Sequence, residues 1–247
     1  MMWRNGNKMV RLMLFQRCIN FTIDTLFPIE CLGCKKEGEW LCQDCLAKIP
    51  IETKEDCFVC KKPSAGGKTC FSCQRNFSLQ SVAWLTDYDN ALVHRALHIA
   101  KYGYVKAVLV ALLNSLVPHL SHKFRFFDLD PRAVMFIPVP LHLRRLRDRG
   151  FNQAQIVAES FARATNGICV NALTRRRFTI PQVKLDEADR ARNIKGVFKC
   201  LDQATVADHY VFIVDDVATS GATLNACGEE LQKAGARGVF GLVIAKG

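Results

Sequence analysis

The stretch VFIVDDVATSGATLNACGEELQKAGA, residues 211–236, constrains the fold more tightly than any other part of this chain. Val211, Phe212, Ile213 and Val214 have no polar face. They read as a strand buried on both sides, which happens in a parallel sheet covered by helices. Asp215 and Asp216 follow, at the expected carboxyl end of the strand. Open α/β sheets bind ligands at that end. Ala218, Thr219, Ser220, Gly221 and Thr223 come next, and a helical pattern begins at about Leu224. A short loop feeding a helix N-terminus offers backbone N–H groups and a positive dipole end to an anion. Helix capping explains one hydroxyl. It does not explain three around a glycine, with two carboxylates just before them.

An anion cradle beside paired carboxylates suits a ligand with both a phosphate and vicinal hydroxyls, such as a ribose 5-phosphate. The segment VDDVATSGAT resembles the diphosphoribosyl-binding loop of the type I phosphoribosyltransferases. That resemblance implies that Asp215 and Asp216 hold the ribose hydroxyls. It also implies that Ala218, Thr219, Ser220, Gly221 and Thr223 ring the 5-phosphate.

Eight of the twelve cysteines fall in four Cys-x-x-Cys pairs: Cys31/Cys34, Cys42/Cys45, Cys57/Cys60 and Cys70/Cys73. Disulfide frameworks rarely show such regular pairs, and no secretory signal precedes them. Two thiolates so spaced grip one side of a tetrahedral zinc, and two pairs complete the site. Iron–sulfur or redox pairs are the alternatives. Sequential pairing makes one ribbon of residues 31–45 and another of 57–73; a cross-braced pairing stays open. Cys18, Cys169, Cys200 and Cys227 lack partners and read as small buried apolar residues.

A chain of 247 residues with 49% hydrophobic content has room for one substantial core and a small appendage. Its net charge of +11 points to anionic partners: nucleic acid, phosphorylated metabolites or an acidic surface. No apolar run approaches a membrane span. The stretch MVRLMLFQRCINFTIDTLFP is interrupted by Arg11 and Arg17 and lacks a small-residue cleavage site. Neither a transmembrane segment nor a signal peptide is expected, and the expected location is cytoplasmic. Leu12, Phe15, Ile19 and Ile23 recur at helical spacing, giving an amphipathic helix within residues 1–28. It packs on the next domain or, alternatively, lies on a membrane surface.

Residues 29–76 form the double zinc ribbon, which needs metal to fold. Residues 81–247 alternate strands and helices, the pattern of a parallel α/β domain with helices on both faces. Strands are expected at SVAWLTDY, AVMFIPVP, ICVNAL, HYVFIVDD and GVFGLVIAKG. AGGKT at residues 65–69 ends like a Walker A loop, but Lys62 stands where its first glycine belongs. It reads as a ribbon tip. His94 and His98 lie one helical turn apart but lack the glutamate of a zincin pattern, so they read as helix-face residues.

Two further segments carry charge. LHLRRLRDRGFNQAQ follows a core strand and reads as a basic loop in which Arg144, Arg145, Arg147 and Arg149 offer planar forks to pyrophosphate. RRRFTIPQVKLDEADRARNIKGVF is long, polar and basic, with Gln182, Arg190 and Asn193 spaced as on a lid; a solvated hairpin is the alternative.

PVPLHLRRLRDRGFNQA, the Gln–Arg–Asn–GVF segment and the diphosphoribosyl loop, preceded by a double zinc ribbon, together resemble the ComF family and its GntX-type relatives. The likeness runs from Cys31 nearly to the end. It implies a competence-associated protein with a phosphoribosyltransferase-like domain, structural Zn²⁺, and Mg²⁺ accompanying phosphoribosyl diphosphate. It further implies single-stranded DNA handling during natural transformation. Transfer of ribose 5-phosphate to an acceptor is one alternative; an adaptor for a helicase-like DNA-uptake partner is another. The aromatics Trp40, Phe58, Phe71 and Phe77 are candidates for stacking on bases or, alternatively, the small core of the ribbons.

Overall fold

The computed structural model describes residues 28–120, 134–179, 193–194 and 196–247. The expected N-terminal helix, Gln182 and Arg190 lie outside them. The chain divides into two compact units, with the boundary between Leu46 and Ala47.

Among its described residues the second unit has seven strands: β1 Val82–Asp87, β2 Val134–Pro138, β3 Ile168–Cys169, β4 Leu173–Arg175, β5 Phe198–Cys200, β6 Tyr210–Ala218 and β7 Gly238–Lys246. Five form a parallel sheet in the order β1-β7-β6-β2-β3. β4 and β5 form a separate antiparallel pair. The longer helices are α1 Ala91–Tyr102, α2 Lys106–Leu116, α3 Leu143–Arg149, α4 Gln153–Thr165 and α5 Ala222–Lys233.

Apolar residues on both sides of β6 explain its central place. Phe212 stacks on Phe240 of β7 at 5.0 Å between ring centroids and lies 5.8 Å from Phe136 of β2, which meets Phe161 of α4 at 6.4 Å. Val211 and Ile213 point the other way, into a core shared with Leu224, Cys227 and Leu231 of α5. Each fully buried side chain of this size stabilises the fold by roughly 1.5–3 kcal/mol. Cutting Phe212 to alanine is expected to cost about 3–5 kcal/mol, because the cavity adds to the lost transfer energy.

Three details differ from the sequence reading. β6 does not end on its aspartates: Val217 and Ala218 still pair with Ala245 and Lys246 of β7. On the β2 side pairing stops at Pro138↔Val214, with Val139 N–H donating to the Val214 carbonyl at 2.9 Å as the last bond. Pro140 has no N–H to continue it. The sheet therefore opens on one side of β6 only, where the carboxylates stand. ICVNAL splits into β3 and β4, which belong to different sheets. The arginine stretch is a two-turn helix, α3, rather than a loop. Its start is capped by His142 Nδ1, which accepts from Arg144 N–H, and Gly150 closes it at φ 74°. With few apolar residues it shows no helical stripe in sequence.

The cysteines pair sequentially. Cys31, Cys34, Cys42 and Cys45 form one cluster and Cys57, Cys60, Cys70 and Cys73 another, all sulfurs of a cluster lying within 4.8 Å of one another. Cys34 and Cys42 sulfurs are 3.5 Å apart, and those of Cys60 and Cys70 3.6 Å. A tetrahedral site with Zn–S near 2.3 Å needs sulfur–sulfur edges of about 3.8 Å, so both clusters fit zinc. The two ribbons repeat one design. Cys31 N–H donates to Lys36 O as Cys57 N–H does to Lys62 O. Lys35 and Lys61 share a left-handed turn, φ 68° and 61°. Cys42 N–H donates to Cys31 Sγ at 3.3 Å, as Cys70 N–H does to Cys57 Sγ at 3.5 Å. Burial pushes the Cys31 thiol up, but the amide donors outweigh it and hold the thiol at about 6, poised for the thiolate that a metal takes.

Two of the stacking candidates prove to be core. Phe58 and Phe77 are 3% and 8% exposed and belong to the apolar cluster under the sheet, because so small a module has few other side chains to bury. Phe71 is 79% exposed. Cys200 and Cys227 are buried as expected, whereas Cys169 is half-buried.

The purified protein is expected to hold two zinc ions per chain, one for each four-cysteine cluster. Replacing Cys57 and Cys60 together by serine should reduce this to one, as read by elemental analysis; two ions in that variant would exclude these ligands.

Candidate functional site

Strand order reverses between β2 and β6, since β3 lies outward of β2 while β7 and β1 lie outward of β6. A crevice opens at such a point beyond the carboxyl ends of the strands. Here it is a cleft of about 290 Å³. Asp215 and Asp216 reach it from β6, Thr219 and Thr223 from the loop and first turn of α5, Arg145 and Arg149 from α3, Lys101 from α1 and Arg175 from β4.

The loop is shaped by Gly221, whose φ of 75° lets the chain turn sharply into α5. The twelve residues of α5 direct their N-terminus towards the cleft side of the sheet. Behind the turn Ser220 Oγ is buried without a hydrogen-bond partner, as is Arg175 Nε in the cleft wall. Buried polar atoms left in this way cost about 1–3 kcal/mol each unless a ligand or water satisfies them. Of the two, Arg175 belongs to the cleft lining.

The carboxylates are held by a lysine that the sequence reading passed over. Lys101 Nζ lies 2.9 Å from Asp216 Oδ1, with both side chains largely buried. Burial pulls the Lys101 amine down, but Asp216 and Asp215 outweigh it and keep the amine above its ordinary value. Among the described residues Asp215 has no such ion-pair partner. Burial, then the neighbouring Asp216 charge, push it up to about 7, with Lys101 acting in the opposite direction. Asp215 Oδ1 also accepts the Asp216 N–H at 2.9 Å.

The opposite wall is cationic. Arg145 and Arg149 sit one turn apart on α3 and share its inward face, whereas Arg144 and Arg147 project elsewhere and are exposed. Arg145 donates to the Thr179 carbonyl at 2.8 Å, and Arg175 donates to the Thr179 hydroxyl. Arg149 donates to Gln153 Oε1 at 3.2 Å, and Gln153 Nε2 donates to the Ala100 carbonyl beside Lys101 at 3.3 Å. One buried glutamine thus joins the arginine wall to the lysine helix. Burial and then the Arg145 charge lower Arg175 to about 10, still cationic at neutral pH.

Of the residues singled out in sequence, Asp215, Asp216, Thr219, Thr223, Arg145 and Arg149 line one cleft. Ala218 ends β6, and Ser220 and Gly221 form the turn behind it. Arg144 lies over the Phe178 ring at 5.2 Å instead, and Asn193, half-buried in a helical turn, is not among the lining residues. Lys101, Arg175, Asn152 and Gln153 were not singled out. Lys101 in the last turn of α1 looks like an ordinary C-terminal cation complementing the helix dipole. No local signal separates it from one.

A carboxyl raised above its ordinary value favours folding when protonated. The Asp215 contribution is therefore complete below about pH 4 and is lost as pH rises through about 7. The ligand-free protein should melt at a lower temperature at about pH 8 than at about pH 6, and Asp215→Asn should flatten that slope. Thermal melts across this range read it directly; equal slopes would mean that Asp215 ionises normally.

Comparison with known proteins supports this architecture from outside. A family model described as a double zinc ribbon domain matches residues 22–74. The DNA utilization protein YhgH of Escherichia coli O157:H7 is 30% identical over 206 residues, covering 81% of this chain and 87% of that protein. Competence protein F of Haemophilus influenzae is 35% identical over 107 residues, 42% of this chain and 46% of that one. Competence protein ComFC of Bacillus subtilis is 24% identical over 201 residues, 77% of each. Among solved structures, the Bacillus subtilis glutamine phosphoribosylpyrophosphate amidotransferase complexed with ADP and GMP aligns with 44% of this chain and 22% of its own. Its identity is 19% and its TM-score 0.31, too low to bear on the site. Paired four-cysteine ribbons, a parallel α/β domain and similarity extending over most of both chains lead to one conclusion: this protein belongs to the ComF family.

Proposed function

We propose that the cleft binds phosphoribosyl diphosphate or a related ribose phosphate, and that the protein serves in the handling of single-stranded DNA during natural transformation. The observation that carries the ligand assignment is the sorting of charge within one cleft. Carboxylates on β6, arginines on α3 and β4, and Thr219 and Thr223 of the turn into α5 all line it. A ribose phosphate needs that division. The 5-phosphate sits against the hydroxyls of Thr219 and Thr223 and the amides at the start of α5. The vicinal hydroxyls donate to Asp215 and Asp216, and the diphosphate meets the planar forks of Arg145 and Arg149. Asp215 and Asp216 would hold Mg²⁺ brought in with the ligand, and the ion would supply charge neutralisation for the diphosphate. Lys101, 2.9 Å from Asp216 Oδ1, holds that carboxylate in place.

The DNA role draws on relatives named for DNA utilization and competence. It also draws on Phe71, which lies exposed on the second ribbon with the Arg75 guanidinium 5.8 Å from its ring centroid. An aromatic face beside a cation is a platform for an unpaired base. No helix among the described residues is long and apolar enough to cross a membrane; a cytoplasmic setting, with a helicase-like partner, belongs to this proposal.

Calorimetric titration of phosphoribosyl diphosphate with Mg²⁺ tests the ligand. Changing Asp215 and Asp216 together to alanine should abolish binding with zinc content intact, and Arg145→Ala should weaken it by about tenfold or more. Unchanged affinity in the double variant would remove the ribose assignment. For DNA, Phe71→Ala should weaken single-strand binding about tenfold, with a steep decline in wild-type affinity as salt rises. A salt-independent affinity, or one indifferent to Phe71, would leave the adaptor reading in its place.

A further inference from the structure

The second zinc ribbon is wedged under the loop that enters α5. Phe58, next in sequence to the ligand Cys57, and Phe77, four residues after the ligand Cys73, close against Gly221 from below. A methyl group built on Gly221 would come within 2.7 Å of Phe58 Cε1 and 3.1 Å of Phe77 Cε2. The two rings stack at 6.2 Å, and Trp84 of β1 meets the edge of Phe58 at 6.0 Å. Lys246 Nζ then caps the Trp84 face at 4.1 Å. No slack is left beneath the turn.

The same segment also grips the flank of α5. Ser78 N–H donates to Asn225 Oδ1 at 2.6 Å, and Ser78 Oγ donates to the Asn225 carbonyl at 3.0 Å. Asn225 N–H in turn donates to the Gly221 carbonyl at 2.8 Å, closing the first turn of the helix. A methyl group on Gly228 would reach Ser78 Oγ at 2.6 Å, so helix and ribbon approach backbone to side chain. Gln232 Nε2 donates to the Ser78 carbonyl at 2.5 Å. Residues 77 and 78 have little secondary structure of their own. The knuckle at Cys70 and Cys73 anchors them on one side and α5 on the other.

We propose that Phe58 and Phe77 are positioning residues for the Thr219–Thr223 turn, so that metal at the second four-cysteine site sets how tightly that turn holds an anion. The ribbon then acts as the floor of the cradle as well as an appended module. The consequence for anion affinity rests on the ribose-phosphate reading above; the mechanical coupling does not. With zinc bound, the Cys57–Cys60 and Cys70–Cys73 knuckles share one centre, and Phe58 and Phe77 are fixed relative to each other. Without it, the thiols separate, the rings lose their common anchor, and the Gly221 turn gains freedom that ligand binding must remove.

Amide hydrogen exchange, followed by mass spectrometry on the ligand-free full chain, separates these statements. Peptides spanning residues 219–225 should exchange about tenfold faster in Phe58→Ala, and by a smaller factor in Phe58→Leu, which keeps an apolar side chain there. Cys60→Ser should accelerate the same peptides while β2 and the Val211–Val214 segment of β6 stay protected. If Cys60→Ser loses protection everywhere, Phe58→Leu, with all eight ligands present, decides the matter. Calorimetry on the Phe58 variants should show phosphoribosyl diphosphate binding weakened about tenfold with two zinc ions retained. Unaltered exchange of residues 219–225 in both Phe58 variants would overturn the coupling. If the wild type binds no phosphoribosyl diphosphate but the exchange changes appear, the ribose-phosphate reading falls and the coupling stands.

Discussion

Two adjacent carboxylates at the carboxyl ends of a buried sheet are tolerable only because Lys101 lies 2.9 Å from one of them. Removing one partner of a buried ion pair costs about 3–5 kcal/mol, because it strands the other charge. The pair ties α1 to β6, and Gln153 ties α4 to the end of α1 through the Ala100 carbonyl. The pair also explains the unequal character of the two aspartates. Asp216 is neutralised within the fold, whereas Asp215 is left for burial and its neighbour to push up to about 7. A ligand bringing hydroxyl donors or a divalent cation would relieve that strain.

The arginine wall is arranged by a different principle. Four arginines lie within six residues, yet helical spacing admits only Arg145 and Arg149 to the cleft. Arg175 joins them from β4, and Thr179 accepts from both Arg145 and Arg175, locking two like charges side by side. Such crowding is expensive in an empty cleft and becomes favourable when a polyanion sits between the forks.

The two ribbons share their cysteine geometry and differ in where their connecting residues go. In the second, the chain leaving the last knuckle delivers Phe77 and Ser78 to the first turn of α5, and Phe58 completes the floor. A module of this size has too little core to stand on its own packing. Phe58 and Phe77 are instead buried in the same cluster as Ile213 and Val243 of the sheet. The second four-cysteine cluster and the turn into α5 are thus parts of one packed body.

Much of this was legible in the residues themselves. A four-residue apolar run followed by two aspartates and a hydroxyl-rich turn specifies a buried parallel strand that turns into a helix N-terminus, because burial on both faces and helix entry are local matters. Cys-x-x-Cys spacing specifies knuckles for the same reason. Which knuckles pair, which arginines face inward and that β6 outruns its aspartates were decided only in the tertiary structure, where Pro140 stops the β2 ladder and β7 continues it. Lys101 and Arg175 show the limit most clearly. Each looks like an ordinary surface cation along the chain, and becomes part of the site because helix packing and a strand from another sheet bring it to Asp216 and Arg145. Sequence by itself determined the elements and the kind of ligand chemistry they offer; the packing of distant elements decided which charges meet, since electrostatic partners are chosen by proximity in space and leave no period in the chain.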